Sequence, residues 1–311
     1  MPDLDTALVL SVLQRSLVAG TPLLLGTLGE ICTQRAGVMN LGIEGMMAVG
    51  AVSGFAVAFQ AQDPWLGLLA AMAAGALLAL LHAFVSITLR ANQVVSGLAL
   101  TSLGLGLSML IGKGFIGQPL PTRFEPLPVP GLADLPVLGP LLFQRDPLFY
   151  LAVALGVVLW GLLFHTRWGI ALRSVGENPL AAETLGVDVA LVRYLATAFG
   201  GMLAGMGGAY LSLAYSPSWI EGMTAGRGWI VVALTIFSLW NPLRAFLGAF
   251  LFGGIDVAQF TLQTYGISPQ LLKTLPYLAT LVALWFSSSL TARRRVCAPA
   301  ALGLPYDKGT R

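Results

Sequence analysis

The chain has 311 residues, 56% of them hydrophobic and 10% charged, whereas a soluble domain carries about 25% charged residues. With a mean hydropathy of +0.81, it reads as an integral membrane protein and not a soluble domain. The formal charge of +3 is dispersed over short loops, so membrane topology accounts for it and no nucleic-acid partner is expected.

Apolar runs of about 18 residues mark transmembrane helices. In chain order they fall at 8–28, 38–59, 66–89, 94–111, 148–164, 194–213, 228–239, 245–257 and 271–290. The sequence therefore predicts a single all-α, polytopic membrane domain over 1–311, with nine spans or one more or fewer. The seventh and eighth are short, as discontinuous helices of transporters are. The start, Met-Pro-Asp-Leu-Asp-Thr, lacks the basic segment of a cleavable signal peptide, so the first span is expected to stay.

Orientation follows from Lys and Arg, which favour the cytoplasmic side. Placing the 166–193 loop inside also puts Arg35, Arg90, Arg244, Arg293, Arg294, Arg295, Lys308 and Arg311 inside, eleven cations with Arg167, Arg173 and Arg193. Five remain outside: Lys113, Arg123, Arg145, Arg227 and Lys273. The bias predicts a cytoplasmic C-terminus. Trp65, Trp160, Trp168, Trp219 and Trp240 mostly fall near span ends and read as an interfacial belt.

Two loops are long. Residues 112–147, on the predicted outer side, hold eight prolines, which disfavour regular helix; the loop is either an ordered outer cover or docking surface, or a plain connector. Within 166–193, Asn178 before Pro179 and a helix-favouring run reads as an N-cap with Pro at N1, and Gly186 as the stop. This predicts a short cytoplasmic helix with small residues, Ala181 and Ala182, that let another surface approach. A faint repeat at an offset of 178 aligns Gly50, Phe59, Pro64, Ala71 and Gly75 with Gly228, Phe237, Pro242, Ala249 and Gly253. The two segments run in opposite directions, as an inverted repeat requires.

The most unusual stretch runs from Gly29 to Gly50 and sets Glu30, Arg35, Asn40 and Glu44 among five glycines. A charge at membrane depth costs several kcal/mol, roughly 2.5 to more than 10, and faces a protein interior or a path. Glu30 and Arg35 fall near the cytoplasmic face. Asn40, Glu44 and Met47 recur at helical spacing, and a helix starting at Val38 puts Glu44 about 9 Å in. Glu44 either borders a substrate path or accepts hydrogen bonds that fix a helix break. Asp256 is a further path candidate, or an interfacial residue.

No energy-converting site is apparent. Gly112-Lys113 is followed by Gly114 instead of Ser or Thr, so no phosphate-binding loop forms. Cys32 and Cys297 are isolated, and His82 lies far from His165 in sequence. Neither a disulfide framework nor a metal site is expected, and no nucleophile and base constellation marks an enzyme.

The run Gly29-Glu30 and Arg35 to Met47, with Asn40 and Glu44 inside it, resembles the signature of permease subunits of nucleoside and simple-sugar ABC importers, in the wider group of ribose and branched-chain amino-acid permeases. Gly176-Glu177-Asn178-Pro179 with Ala181, Ala182 and Gly186 is similar to that group's cytoplasmic coupling segment. Gly200 to Ala209, and Gly226 to Trp229 with Asn241-Pro242, extend the likeness; Ser238-Leu239-Trp240 departs from it, where small residues are usual.

The resemblance implies a transport subunit in the bacterial inner membrane, without its own ATPase site or cofactor. ATP and Mg would be bound by a partner ATPase, and the partners would include a second, longer permease chain and an extracytoplasmic binding protein or lipoprotein. It implies a path for nucleosides or related small polar solutes; permeases for simple sugars or branched-chain amino acids are the near alternative. An ion-coupled secondary transporter also lacks an ATP site, but the short inner-loop helix and the scarcity of paired intramembrane carboxylates speak against it.

Overall fold

The computed structural model describes residues 2–263, 267–272, 274–287 and 298–307. Lys273, Arg293, Arg294, Arg295, Cys297, Lys308 and Arg311 lie outside them. The described chain is a helical bundle: α1 (Pro2–Arg35), α2 (Ile43–Ala61), α3 (Pro64–Ala83), α4 (Gln93–Gly112), α5 (Pro147–His165), α6 (Arg167–Glu177), α7 (Pro179–Thr184), α8 (Val189–Tyr210), α9 (Arg227–Phe237), α10 (Pro242–Gln263), α11 (Pro269–Leu272) and α12 (Leu275–Ser287). Among the described residues seven helices are long and apolar enough to cross a membrane. The chain is thus all-α and polytopic. The expected seventh span is α9, with 11 residues, but the eighth is the 22-residue α10 and is not short.

Helix starts follow local chemistry. Asp63, Asn92, Asp146, Asn178 and Asp188 each accept a backbone N–H of the first turn, and proline follows Asp63, Asp146 and Asn178 at the first helical position, where its missing N–H costs nothing. Between α4 and α5 the chain forms little regular helix, as its prolines predict, and folds back on itself and on the bundle. Leu127 and Pro128 pair antiparallel with Arg145 and Gln144, Leu120 N donates to the Pro217 carbonyl at 3.0 Å, and Phe124 packs edge-on against Trp65 at 4.9 Å.

Packing follows the inverted repeat. α3 lies on α8 and α10 lies on α1. A Cβ at Gly20 of α1 would stand 2.6 Å from the Ala249 carbonyl oxygen of α10, and one at Gly205 of α8 would collide with the Ala71 carbonyl of α3. Likewise Gly253 abuts Ser16 and Gly20, and Gly75 abuts Gly201 and Gly205. Ala71 and Gly75 therefore pack on α8 as Ala249 and Gly253, 178 positions later, pack on α1. In lipid, where apolar burial drives little association, such close backbone approach supplies the packing.

Two tryptophans depart from the belt expectation. Trp219 and Trp240 are 1% and 5% exposed. Trp219 sits beneath Gly112, where a side chain would strike its ring, and Trp240 Nε1 donates to Gln34 Oε1 at 2.7 Å. Both lie at span ends in sequence, yet the chain folds over them.

Gly75→Leu is expected to force α3 off α8 and cost about 1–3 kcal/mol or more, read as a lower thermal midpoint in detergent. Gly161→Leu, in α5 with nothing within 4 Å of its Cβ, should leave the midpoint unchanged.

Candidate functional site

The site grows from the link between α1 and α2. α1 runs on to Arg35, and α2 starts at Ile43, not Val38. Gly37, at φ +86°, turns the chain back into the bundle, and the Asn40 side chain accepts Gly42 N–H at 2.9 Å, an Asx turn that delays the helix. Asn40 thus precedes α2 and does not share its face. Asn40 N donates to Glu30 Oε1 at 3.4 Å, and Gln34 Nε2 donates to the same oxygen at 2.7 Å. Glu30 is fully buried, so it is an interior residue and not a surface one. Gln34 and Trp240, which complete this network, carried no periodic signal.

Glu44 lies in the first turn of α2, 4% exposed. Its carboxylate accepts from Thr224 Oγ1 at 2.6 Å, Gly226 N at 2.9 Å and Gly228 N at 2.6 Å. These groups form the start of α9, so Glu44 caps a helix far along the chain. An anion at a helix N-terminus meets orphan N–H groups and the positive end of the dipole. At 1.5 Å per residue, the 11 residues of α9 cover about 16 Å, half of a hydrocarbon core of about 30 Å. A helix this short cannot reach across, and Glu44 meets its start. Gly228 leaves no room for a side chain against the Glu44 backbone. Met47 is fully buried, with its backbone against Gly208 of α8; it lines no cavity described below.

Arg227, expected in an outer loop, opens α9. Its Nη2 lies 2.8 Å from Asp256 Oδ2, with side chains 14% and 18% exposed. Gln259 donates to the other Asp256 oxygen, and the Arg227 guanidinium lies over the Tyr215 ring at 5.7 Å. Asp256, within α10, is thus a largely buried member of an ion pair. Pair, glutamine and ring border a cavity of about 450 Å³ that Tyr277 and Gln263 also line. Tyr215, Gln259 and Tyr277 went unnoticed in the sequence because isolated aromatic and amide residues have no periodicity.

At the end of the bundle that holds Arg35, α7 is the short helix expected within 166–193, and α6 before it is a second helix that was not expected. Asn178 Oδ1 accepts Ala181 N–H at 3.0 Å, and Gly186, at φ +83°, follows the end of α7. Ala182 is 1% exposed and packs with Val175, Val189 and Val192, so it is an internal contact and leaves Ala181 as the open small residue. Leu180 and Leu185 are 49% and 83% exposed.

Residues 298–307 strap this region to the core. Ala301 N donates to the Gly176 carbonyl at 2.9 Å and Gly303 N to that of Gly37 at 3.2 Å; Ala300 N reaches Glu177 Oε2 at 3.3 Å. Arg90 pairs with Asp307 at 2.7 Å. Tyr306 donates to Glu183, and this bond holds its phenol up at about 12.

A short helix capped by a buried carboxylate within a bundle of apolar, span-length helices, beside a cavity bordered by an ion pair and tyrosines, fits a membrane transport subunit. Over residues 12–284 the chain matches the family described as branched-chain amino acid transport system permease component, and it belongs to that family. It is 40% identical to a putative glucose ABC transporter permease of Haloferax volcanii, over 96% of this chain and 97% of that one. It is 38% identical to the guanosine ABC transporter permease NupQ of Bacillus subtilis, over 99% and 100%. It is 34% identical to the nucleoside ABC transporter permease NupC of Lactococcus lactis, over 96% of each. No solved structure matches it.

Glu44→Gln leaves one carbonyl oxygen where two carboxylate oxygens accepted three bonds. A loss of about 1–3 kcal/mol is expected, with faster hydrogen exchange at the Gly226 and Gly228 amides and unchanged exchange in α5.

Proposed function

We propose that this chain is the path-forming subunit of an ATP-driven importer for nucleosides. The observation that carries the reading is the cavity at the start of α9. It offers tyrosine rings, amide groups and an ion pair that is neutral as a unit, which suits an uncharged, aromatic, hydroxyl-rich solute. The guanosine and nucleoside permeases among its relatives support this choice. The glucose permease at 40% identity favours a second reading, in which a sugar takes the same cavity.

In this reading Asn40, Glu44, Met47 and Asp256 act at different removes from solute. Asp256, held by Arg227 and Gln259, borders it. Glu44 positions the start of α9, Asn40 shapes the turn before α2, and Met47 supports α2 against α8. ATP and Mg belong to a cytoplasmic ATPase; a binding protein or lipoprotein delivers solute from outside, and a second, longer permease completes the pair.

The membrane is the bacterial inner membrane, with the α6–α7 end in the cytoplasm. Arg35, Arg90, Arg167, Arg173 and Arg244 gather near that end, against Lys113, Arg123 and Arg145 at the other. There Glu177, Asn178, Ala181, Ala182 and Gly186 build the coupling segment: Asn178 caps it, Ala182 and Glu177 join it to the core and the C-terminal strap, and Ala181, Leu180 and Leu185 face the ATPase. Movement of α7 reaches α8 through the valines around Ala182, and α8 carries α2 and α3.

Uptake of labelled guanosine and labelled glucose by the reconstituted complex, with and without ATP, tests the substrate. ATP-dependent guanosine uptake in excess of glucose is expected; the reverse order assigns the path to sugars, and uptake of either without ATP overturns the importer. For coupling, Ala181→Trp with Leu185→Asp should leave the protein inserted and thermally stable while ATP hydrolysis no longer drives uptake; unaltered uptake would refute docking through this face.

A further inference from the structure

A second cavity, of about 640 Å³, opens at the end of the bundle opposite α7 and is lined by α1, α10 and the 112–147 loop. We propose that it binds the phosphate-bearing headgroup of an anionic membrane lipid.

The charges come first. Arg15 of α1 and Arg145 of that loop both line the cavity, and no carboxylate does. Arg145 is 8% exposed. Its Nε and Nη2 donate to the carbonyls of Leu141 and Pro140, both at 2.8 Å, which fixes the guanidinium plane. Gln14 Nε2 donates to Pro140 O at 3.2 Å and ties α1 to the same loop. Arg15, by contrast, has neither a hydrogen bond nor an ion pair among the described residues. Across Tyr215 the nearby carboxylate, Asp256, is already paired with Arg227. Asp146, the neighbour of Arg145, offsets part of that cation's charge while it accepts from Tyr210, so the charge left unpaired among the described residues is that of Arg15.

Depth selects a lipid. Arg15 lies 20 residues before Arg35, the last residue of α1, or about 30 Å along the helix axis. Phe260 lies 18 residues past Pro242, where α10 begins at the Arg35 end, or about 27 Å. Two helices thus set the cavity about one hydrocarbon thickness from the Arg35 end, at the level of phosphate headgroups. Val12, Val18, Val257 and Phe260 supply its apolar walls, and Ser11, Gln14, Tyr215 and Thr261 add polar groups beside the two arginines. Phe260, Val9 and Leu13 are 57%, 57% and 47% exposed and offer a track for acyl chains. A guanidinium pair above an apolar track matches an anionic headgroup and its tails.

Native mass spectrometry of the full chain in detergent, equilibrated with equal phosphatidylglycerol and phosphatidylcholine, tests this. The wild type should retain phosphatidylglycerol in preference. Arg15→Gln should cut that preference about fivefold, and Arg15→Lys should keep most of it. Arg15 is exposed and bonded to nothing described, so these variants are expected to fold, which an unchanged thermal midpoint would verify. Millimolar inorganic phosphate should not displace the lipid. Equal retention of both lipids, an undiminished preference in Arg15→Gln, or loss of the lipid to inorganic phosphate, which would assign the arginines to a free anion, each overturns the proposal.

Discussion

The carboxylate of Glu44 holds the start of α9, and the interior of the bundle depends on that tie. A helix that begins inside a bundle of span-length helices exposes N–H groups where no water serves them, and each orphan costs several kcal/mol. The buried carboxylate would be as unfavourable alone. Together they satisfy one another: two oxygens accept from Thr224, Gly226 and Gly228. The tie also joins α2, which packs on α3 and α8, to α9, which packs on α1 and α12.

The glycine contacts give each unit its rigidity. Gly75 against Gly201 and Gly205, and Gly253 against Ser16 and Gly20, bring backbones together in the same manner twice. Close packing of this kind moves as a body, because small displacements meet backbone and not a flexible side chain. α1 and α8 also touch at Gly29 and Gly200, a seam that joins the two units beside the Glu44 tie. The strap at 298–307, bonded to Gly37 as well as to Gly176, closes that seam at the α7 end.

The spans and caps were legible because apolar period and capping chemistry are local. Asn178 and Pro179 announce α7, and the offset of 178 announces how α3 and α10 pack. What sequence concealed is non-local. Extending α2 back to Val38 put Asn40 and Glu44 on one helical face, since an apolar run does not reveal that an Asx turn interrupts it. Glu30 read as a surface charge because its partners, Gln34 nearby and Asn40 across the turn, bury it only after the chain reverses at Gly37. Ala182 looked open because smallness serves internal packing as well as docking. Arg227 counted as a loop cation because nothing in the run around it announced Asp256, 29 positions later.

The placement of charge has one further consequence. Around the cavity at α9 each ionic group already has its complement: Arg227 has Asp256, and Glu44 has the helix start. A solute there meets hydrogen-bonding groups and rings without a net field, so a charged solute would have to shed its hydration for no compensating partner, at a cost of several kcal/mol in a low-dielectric interior. With the cavity as the proposed path, the same pairing would select against ions, and neutral polar molecules are the class it would pass.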